Sequence, residues 1–141
     1  MESIKEVINR YKEDFSLFED ANSKLEYIFD LGKQHTTLPS ELKNDKTFIE
    51  GCASPAWLVG ECKDGVLILR GEGSSEMAKG MLTLLLDIFS NKKADEILNF
   101  NPQELNQLGI IELLSPVRQQ SLQAFLEKVY SYAKQCKEGK L

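Results

Sequence analysis

The chain has 141 residues, enough for one domain with a real core and too few for two ordinary ones. Apolar residues make up 42% and charged residues 28%, which excludes a disordered chain. The net charge of −5 excludes a sequence-independent grip on nucleic-acid backbone, and no apolar run is long enough to imply a membrane span.

The opening MESIKEVINRYKED has no apolar stretch of the kind a secretory signal carries, so the cytoplasm is the expected location. Within it, Ile4, Val7, Ile8, Tyr11 and Phe15 recur at helical spacing behind a Ser3/Glu6 capping-box pattern, predicting a first helix over residues 3–14. A second helix is expected near residues 22–32, with Gly32 as its C-terminal stop. Residues 33–47, which hold His35 and Leu38-Pro39, read as a long irregular connector, longer than a plain link needs. Phe48 to Pro55 reads as a strand-like approach followed by a turn.

Two apolar runs, 56–62 and 66–71, flank Lys63-Asp64-Gly65, and Asp-Gly between such runs signals a hairpin. Gly71, Gly73, Ser74 and Ser75 read as a loop ending on a helix N-cap. The helix that follows, about 75–90, is apolar on more than one face and is expected to be central. After a helical piece near 94–98, Asn101-Pro102 and Ser115-Pro116 each open a helix by the same chemistry: a capping side chain, then a proline whose missing N–H costs nothing there. Gly109 ends the first of these two. Leu122, Phe125, Leu126, Val129, Tyr130 and Ala133 give the last helix its apolar stripe. Helices, then an antiparallel hairpin, then helices make an α+β layout in a single domain spanning residues 1–141.

Three cysteines in a chain expected to meet a reducing compartment argue against a disulfide framework. Cys62 reads as strand-end packing and Cys136 as incidental on a fraying helix end. No Cys-x-x-Cys pair or histidine cluster suggests a metal site. Cys52 differs, because Gly51 and Pro55 around it predict a turn that presents the thiol, and Ser54 supplies a hydroxyl nearby. The alternative at Cys52 is a small buried hydrophobe. His35, the one histidine, reads as a solvent-facing residue or a cation at a helix C-terminus. Trp57 reads as a core aromatic of the sheet. Arg118 falls in the first turn of the last helix, where a cation opposes the helix dipole; an anion contact, a carboxylate pair or only a solvated chain are the open readings. Gly71-Glu72-Gly73-Ser74-Ser75 lacks the Gly-Lys-Ser/Thr ending of a phosphate loop.

Gly51-Cys52-Ala53-Ser54-Pro55-Ala56-Trp57 resembles the Gly-Cys-x-Ser-x-x-Trp motif of the SufE family of sulfur-acceptor proteins. Leu31-Gly32, Leu38-Pro39, Lys79-Gly80, Asp95-Glu96-Ile97 with Asn99-Phe100, and Leu114-Ser115-Pro116-Val117-Arg118 match further family segments in order, over roughly residues 20–132. The resemblance implies a curved antiparallel sheet of about three strands packed against helices, as in iron–sulfur scaffold proteins. It implies a non-enzymatic accessory protein without a cofactor. Such a protein takes a persulfide sulfur onto Cys52 from a pyridoxal-phosphate cysteine desulfurase of the SufS type, raises that enzyme's turnover, and passes sulfur to an iron–sulfur scaffold. Arg118 would support Cys52, with Gly51, Ser54 and Trp57 as parts of the cysteine loop. The sequence departs from the family at Ser74, where an Asp-Ser-Asp-like run is usual, at Ser121, where glycine is, and at Pro55, where a polar residue is common.

Three other readings compete. A cysteine hydrolase would need a histidine base at the thiol, and only His35 is on offer. A cluster scaffold would need several ligands in one place. The last is an interaction domain with a purely structural cysteine.

Overall fold

The computed structural model describes residues 2–52 and 54–141; Ala53, within the cysteine motif, lies outside the described residues. Helix α1 (Ile4–Ser16) begins on the expected capping box, with Ser3 Oγ accepting the Glu6 N–H and Glu6 returning the bond to the Ser3 N–H. Its buried stripe is Ile4, Val7, Ile8, Tyr11 and Phe15. Helix α2 (Ala21–Gly32) is capped by Asp20. Gly32 is not the left-handed stop that the sequence suggests, since the C-cap is Lys33 in a right-handed conformation. Gly32 instead lets α2 lie against helix α3 (Glu76–Phe89): a Cβ on it would stand 3.0 Å from Gly80 N. Gly80 does the same from the other side. Its Cβ would stand 2.1 Å from Ile28 O, so the two helix backbones touch where neither carries a side chain.

The sheet has three antiparallel strands in the order β1 (Ala56–Lys63), β2 (Val66–Gly73), β3 (Lys92–Lys93). Asp64 and Gly65 close the β1–β2 hairpin with φ of 53° and 78°, the left-handed pair a two-residue turn needs. β2 keeps its pairing as far as Gly73, which matches Ala56. Gly71 and Gly73 therefore belong to the strand and not to a loop. β3 carries no strand signal, being two lysines after a turn; pairing with Val66 and Leu67 and a bond from Asn91 N to Leu67 O hold it.

One face of the hairpin carries Ala56, Leu58, Gly60 and Cys62 opposite Gly73, Gly71, Leu69 and Leu67. Helices α3 and α5 (Pro116–Lys137) pack against the hairpin. Gly60 makes room for α5, because a Cβ there would meet the Tyr132 ring at 2.7 Å, and Tyr132 Oη donates to Leu58 O at 2.7 Å. The other face carries Trp57, Val59 and Glu61 opposite Glu72, Arg70 and Ile68. Helix α4 (Ala94–Asn99), a 3₁₀ segment Pro102–Leu108 and a 3₁₀ turn Ile111–Leu113 lead into α5. The expected helix after Asn101-Pro102 is thus 3₁₀, capped by Asn101 and ended by Gly109 at φ 69°. Ser115 caps α5.

The cysteines depart further from expectation. Cys62 and Cys136 are joined in a disulfide, with Cα atoms 5.3 Å apart across a sequence separation of 74. Cys136 lies on the buried stripe of α5, not on a frayed end, and Cys62 faces it from β1. The spacing of the cysteines holds no hint of this, because only the packing of α5 across β1 brings the two thiols together.

Candidate functional site around Cys52

Residues 47–49 run back antiparallel to the start of β1. Ile49 N–H donates to Ala56 O at 2.8 Å, Leu58 N–H donates to Thr47 O at 2.8 Å, and Phe48 bridges Trp57. The expected strand-like approach and turn are both present, with Cys52 between the approach and β1. Thr47 Oγ1 ties the approach to Leu42 O, and Lys128 Nζ on α5 donates to Lys46 O at 2.7 Å. Gly51 turns the chain at φ 88°, a conformation that strains any residue with a Cβ.

Cys52 is the free cysteine among the described residues and is half-buried. It lines a cavity of ≈ 60 Å³ together with Ile49, Ala56, Met81, Leu85, Leu122 and Phe125, with Arg118 and Ser121 also on its wall. Cys52 Sγ lies 4.0 Å from Ser121 O. Burial pushes the thiol above its ordinary value, since a thiolate loses hydration there; a hydrogen bond from Ser121 and the Arg118 guanidinium pull the other way and do not cancel it. The resting sulfur is therefore a sheltered thiol with a cation close by.

The loop is fastened on its far side. Ser74 Oγ donates to Pro55 O at 2.7 Å, and Ser54 Oγ lies 3.4 Å from Ser75 Oγ. Ser75 caps α3 by accepting the Ala78 N–H, and the same oxygen accepts from Arg118 Nη1 at 3.0 Å. One hydroxyl thus joins α3, α5 and the cysteine loop. Among the described residues, no carboxylate pairs with Arg118. In the first turn of α5 it donates to Ser75 Oγ and lines the same cavity as Cys52.

Of the residues singled out from the sequence, Cys52, Ser54 and Arg118 meet at this cavity, and Gly51 shapes its loop. Trp57 does not. It points to the opposite face of β1, stacks edge-on with Phe48 at 5.9 Å and lies under Lys43 Nζ at 5.2 Å. The alternation along β1 sends Ala56 and Leu58 inward, so Trp57 must face outward. Glu72 is on that outer face too, accepting from Leu38 N–H at 2.8 Å and Lys43 Nζ at 3.1 Å, so it does not stand in for an acid at position 74. Burial raises its carboxyl, but those donors outweigh this and hold it below the ordinary range.

His35 is neither a solvent-facing residue nor a cation at a helix C-terminus. It is half-buried, and Nε2 accepts the Gly73 N–H at 3.0 Å, so the ring is neutral with its proton on Nδ1. Sequence reasoning missed Ser74 and Ser75 as the fasteners of the loop. The N-cap signal marks Ser75, but its link to Arg118 spans 43 residues and leaves no local trace.

The chain matches the family model described as "Fe-S metabolism associated domain", SufE, over residues 9–133. It is 30% identical over 146 aligned residues to an uncharacterized SufE-like protein of Rhizobium meliloti, covering 100% of this chain and 99% of that one. It is 32% identical over 114 residues to the sulfur acceptor protein CsdE of Escherichia coli, covering 79% of this chain and 78% of that protein. A solution structure of a hypothetical protein from Thermus thermophilus shares the fold, with a TM-score of 0.77 at 14% identity over 94% of this chain and 96% of that one. The cysteine loop, the three-stranded sheet and a match that runs through nearly all the elements lead to one assignment: the chain belongs to the SufE family.

Proposed function

We propose that this protein is a cytoplasmic sulfur acceptor that carries a persulfide on Cys52. It would take that sulfur from a pyridoxal-phosphate cysteine desulfurase of the SufS type and deliver it to an iron–sulfur scaffold. The observation that carries the reading is a free thiol at the tip of a glycine-turned loop, over an apolar cavity with a guanidinium on its rim. The name of the E. coli relative, a sulfur acceptor, agrees with it.

The chemistry asked of the chain is small. The Cys52 thiol loses its proton to solvent, and the thiolate attacks the terminal sulfur of the donor's persulfide. A new S–S bond forms on Cys52, the donor's S–S bond breaks, and the donor cysteine leaves as a thiolate that takes up a proton. Carbon–sulfur cleavage belongs to the desulfurase and its cofactor. By draining the donor's persulfide, the acceptor raises the desulfurase's turnover without being an enzyme itself.

Arg118 favours the thiolate and then the persulfide anion, which is the role its position supports. The cavity beside Cys52 is lined mainly by apolar side chains and offers the outer sulfur a place away from competing thiols. Attack on a donor held by another protein needs the loop to leave that shelter, and hydrogen bonds from Ser74 to Pro55 O and between Ser54 and Ser75 are among its fastenings.

Incubation with a cysteine desulfurase and cysteine, followed by intact mass, tests the reading. The wild type gains one sulfur atom and Cys52→Ser gains none. Equal gain by both proteins, or by neither, rejects it; the second result with a raised desulfurase turnover would favour an interaction domain with a structural cysteine.

A further inference from the structure

We propose that His35 is a positioning residue: its neutral ring fixes the corner that holds the Cys52 loop closed, so that acid loosens the loop. The inference rests on Cys52 being the acceptor.

His35 stands in the connector after α2, and its Nε2 accepts the N–H of Gly73, the last residue of β2. The next two residues are the fasteners. Ser74 holds Pro55 O, while Ser75 meets Ser54 and receives Arg118. A fixed Gly73 therefore sets where both hydroxyls point. Protonation would put N–H groups on both ring nitrogens, and Nε2 would then face the Gly73 N–H donor to donor. The bond cannot survive that, and Gly73 is itself buried, so its amide has no ready access to water in exchange.

The surroundings set where this happens. Burial of the ring opposes its charge, as does Lys79 on α3. Glu72 on β2 favours the charge, but that carboxylate is already engaged by Leu38 N–H and by Lys43 Nζ from the connector. The balance keeps the ring neutral around pH 7 and moves its titration below the usual histidine range.

The experiment follows Cys52 with a disulfide reagent that works in acid, such as 4,4′-dithiodipyridine, from about pH 7.5 to about pH 5. Each rate is divided by that of a small thiol; both thiols lie below their pKa, so the thiolate fraction cancels. In the wild type this ratio should rise several-fold as pH falls. His35→Gln, whose Oε1 accepts without titrating, should stay low throughout, and His35→Leu should be high throughout. Superposable profiles for wild type and His35→Gln overturn the proposal, whether or not His35→Leu folds by circular dichroism. Sulfur loading by a desulfurase on the same wild-type sample separates the two failures. Loading with superposable profiles sinks only the role of His35, whereas no loading sinks the acceptor reading.

Discussion

On the proposed function, the Cys52 thiol attacks a persulfide, and that role has two conflicting needs. Burial protects the product but keeps the sulfur protonated, and at Cys52 burial is the largest influence. A hydrogen bond from Ser121 and, after it, the Arg118 charge are the counterweights. Arg118→Ala removes the cation and leaves the cavity, so the thiol should become harder to ionise. We expect sulfur uptake at neutral pH to slow by about threefold to tenfold, with the alkylation-versus-pH curve displaced toward higher pH. Arg118→Lys keeps the charge but loses the planar fork that reaches Ser75, and it should recover only part of the rate. An Arg118→Ala protein with an unmoved alkylation curve would mean that the guanidinium serves only to fasten Ser75.

The elements that present this site depend on close backbone approach as much as on apolar stripes. Gly80 costs α3 about 1 kcal/mol of helix propensity against alanine, yet a Cβ there would overlap Ile28 O and meet Ile28 Cγ2 at 2.7 Å. Overpacking of that kind costs about 1–3 kcal/mol or more, and here the obstacle is backbone, which cannot rotate away. Gly80→Ala should therefore be destabilising by roughly 2 kcal/mol, read as a lower urea midpoint at unchanged slope; a midpoint at or above that of the wild type would show that α2 can shift. Local chemistry is legible in the sequence wherever a signal is complete within a few residues. The Ser3/Glu6 box, the Asp64-Gly65 turn and the Asn101-Pro102 and Ser115-Pro116 starts all stand where their signals lie. So does the turn at Cys52. What depends on distant partners is not legible. Trp57 faces outward because of strand alternation and the Lys43 connector, β3 exists because Leu67 needs a neighbour, and Ser75 reaches Arg118 only after α5 has docked.

At the scale of the whole molecule, two devices tie the chain's distant parts together, and each gives stability a condition. The connector is held to β2 by His35 and Glu72, both titrating below their ordinary values when folded. The unfolded chain therefore binds these protons first as pH falls. Stability from His35 is fully present above about pH 6.5 and declines through its lower folded value, and that from Glu72 follows below about pH 4.5. Urea midpoints should be level near neutrality and fall in these two windows, and His35→Gln should abolish the first. The second device is the Cys62–Cys136 bond. It closes a loop of 74 residues between the hairpin and the end of α5, and in the chain-entropy account a loop of that length contributes about 4 kcal/mol. Tyr132 already anchors α5 to β1 through Leu58 O, so α5 should stay docked when the bond opens, and the loss should appear in the unfolded state and not in the fold. In a Cys52→Ser background, which removes the competing thiol, a reductant should lower the melting temperature by on the order of 10 °C while the circular dichroism at room temperature stays the same. A reduced protein that melts where the oxidised one does would show that the two sulfurs add nothing beyond the packing that brings them together.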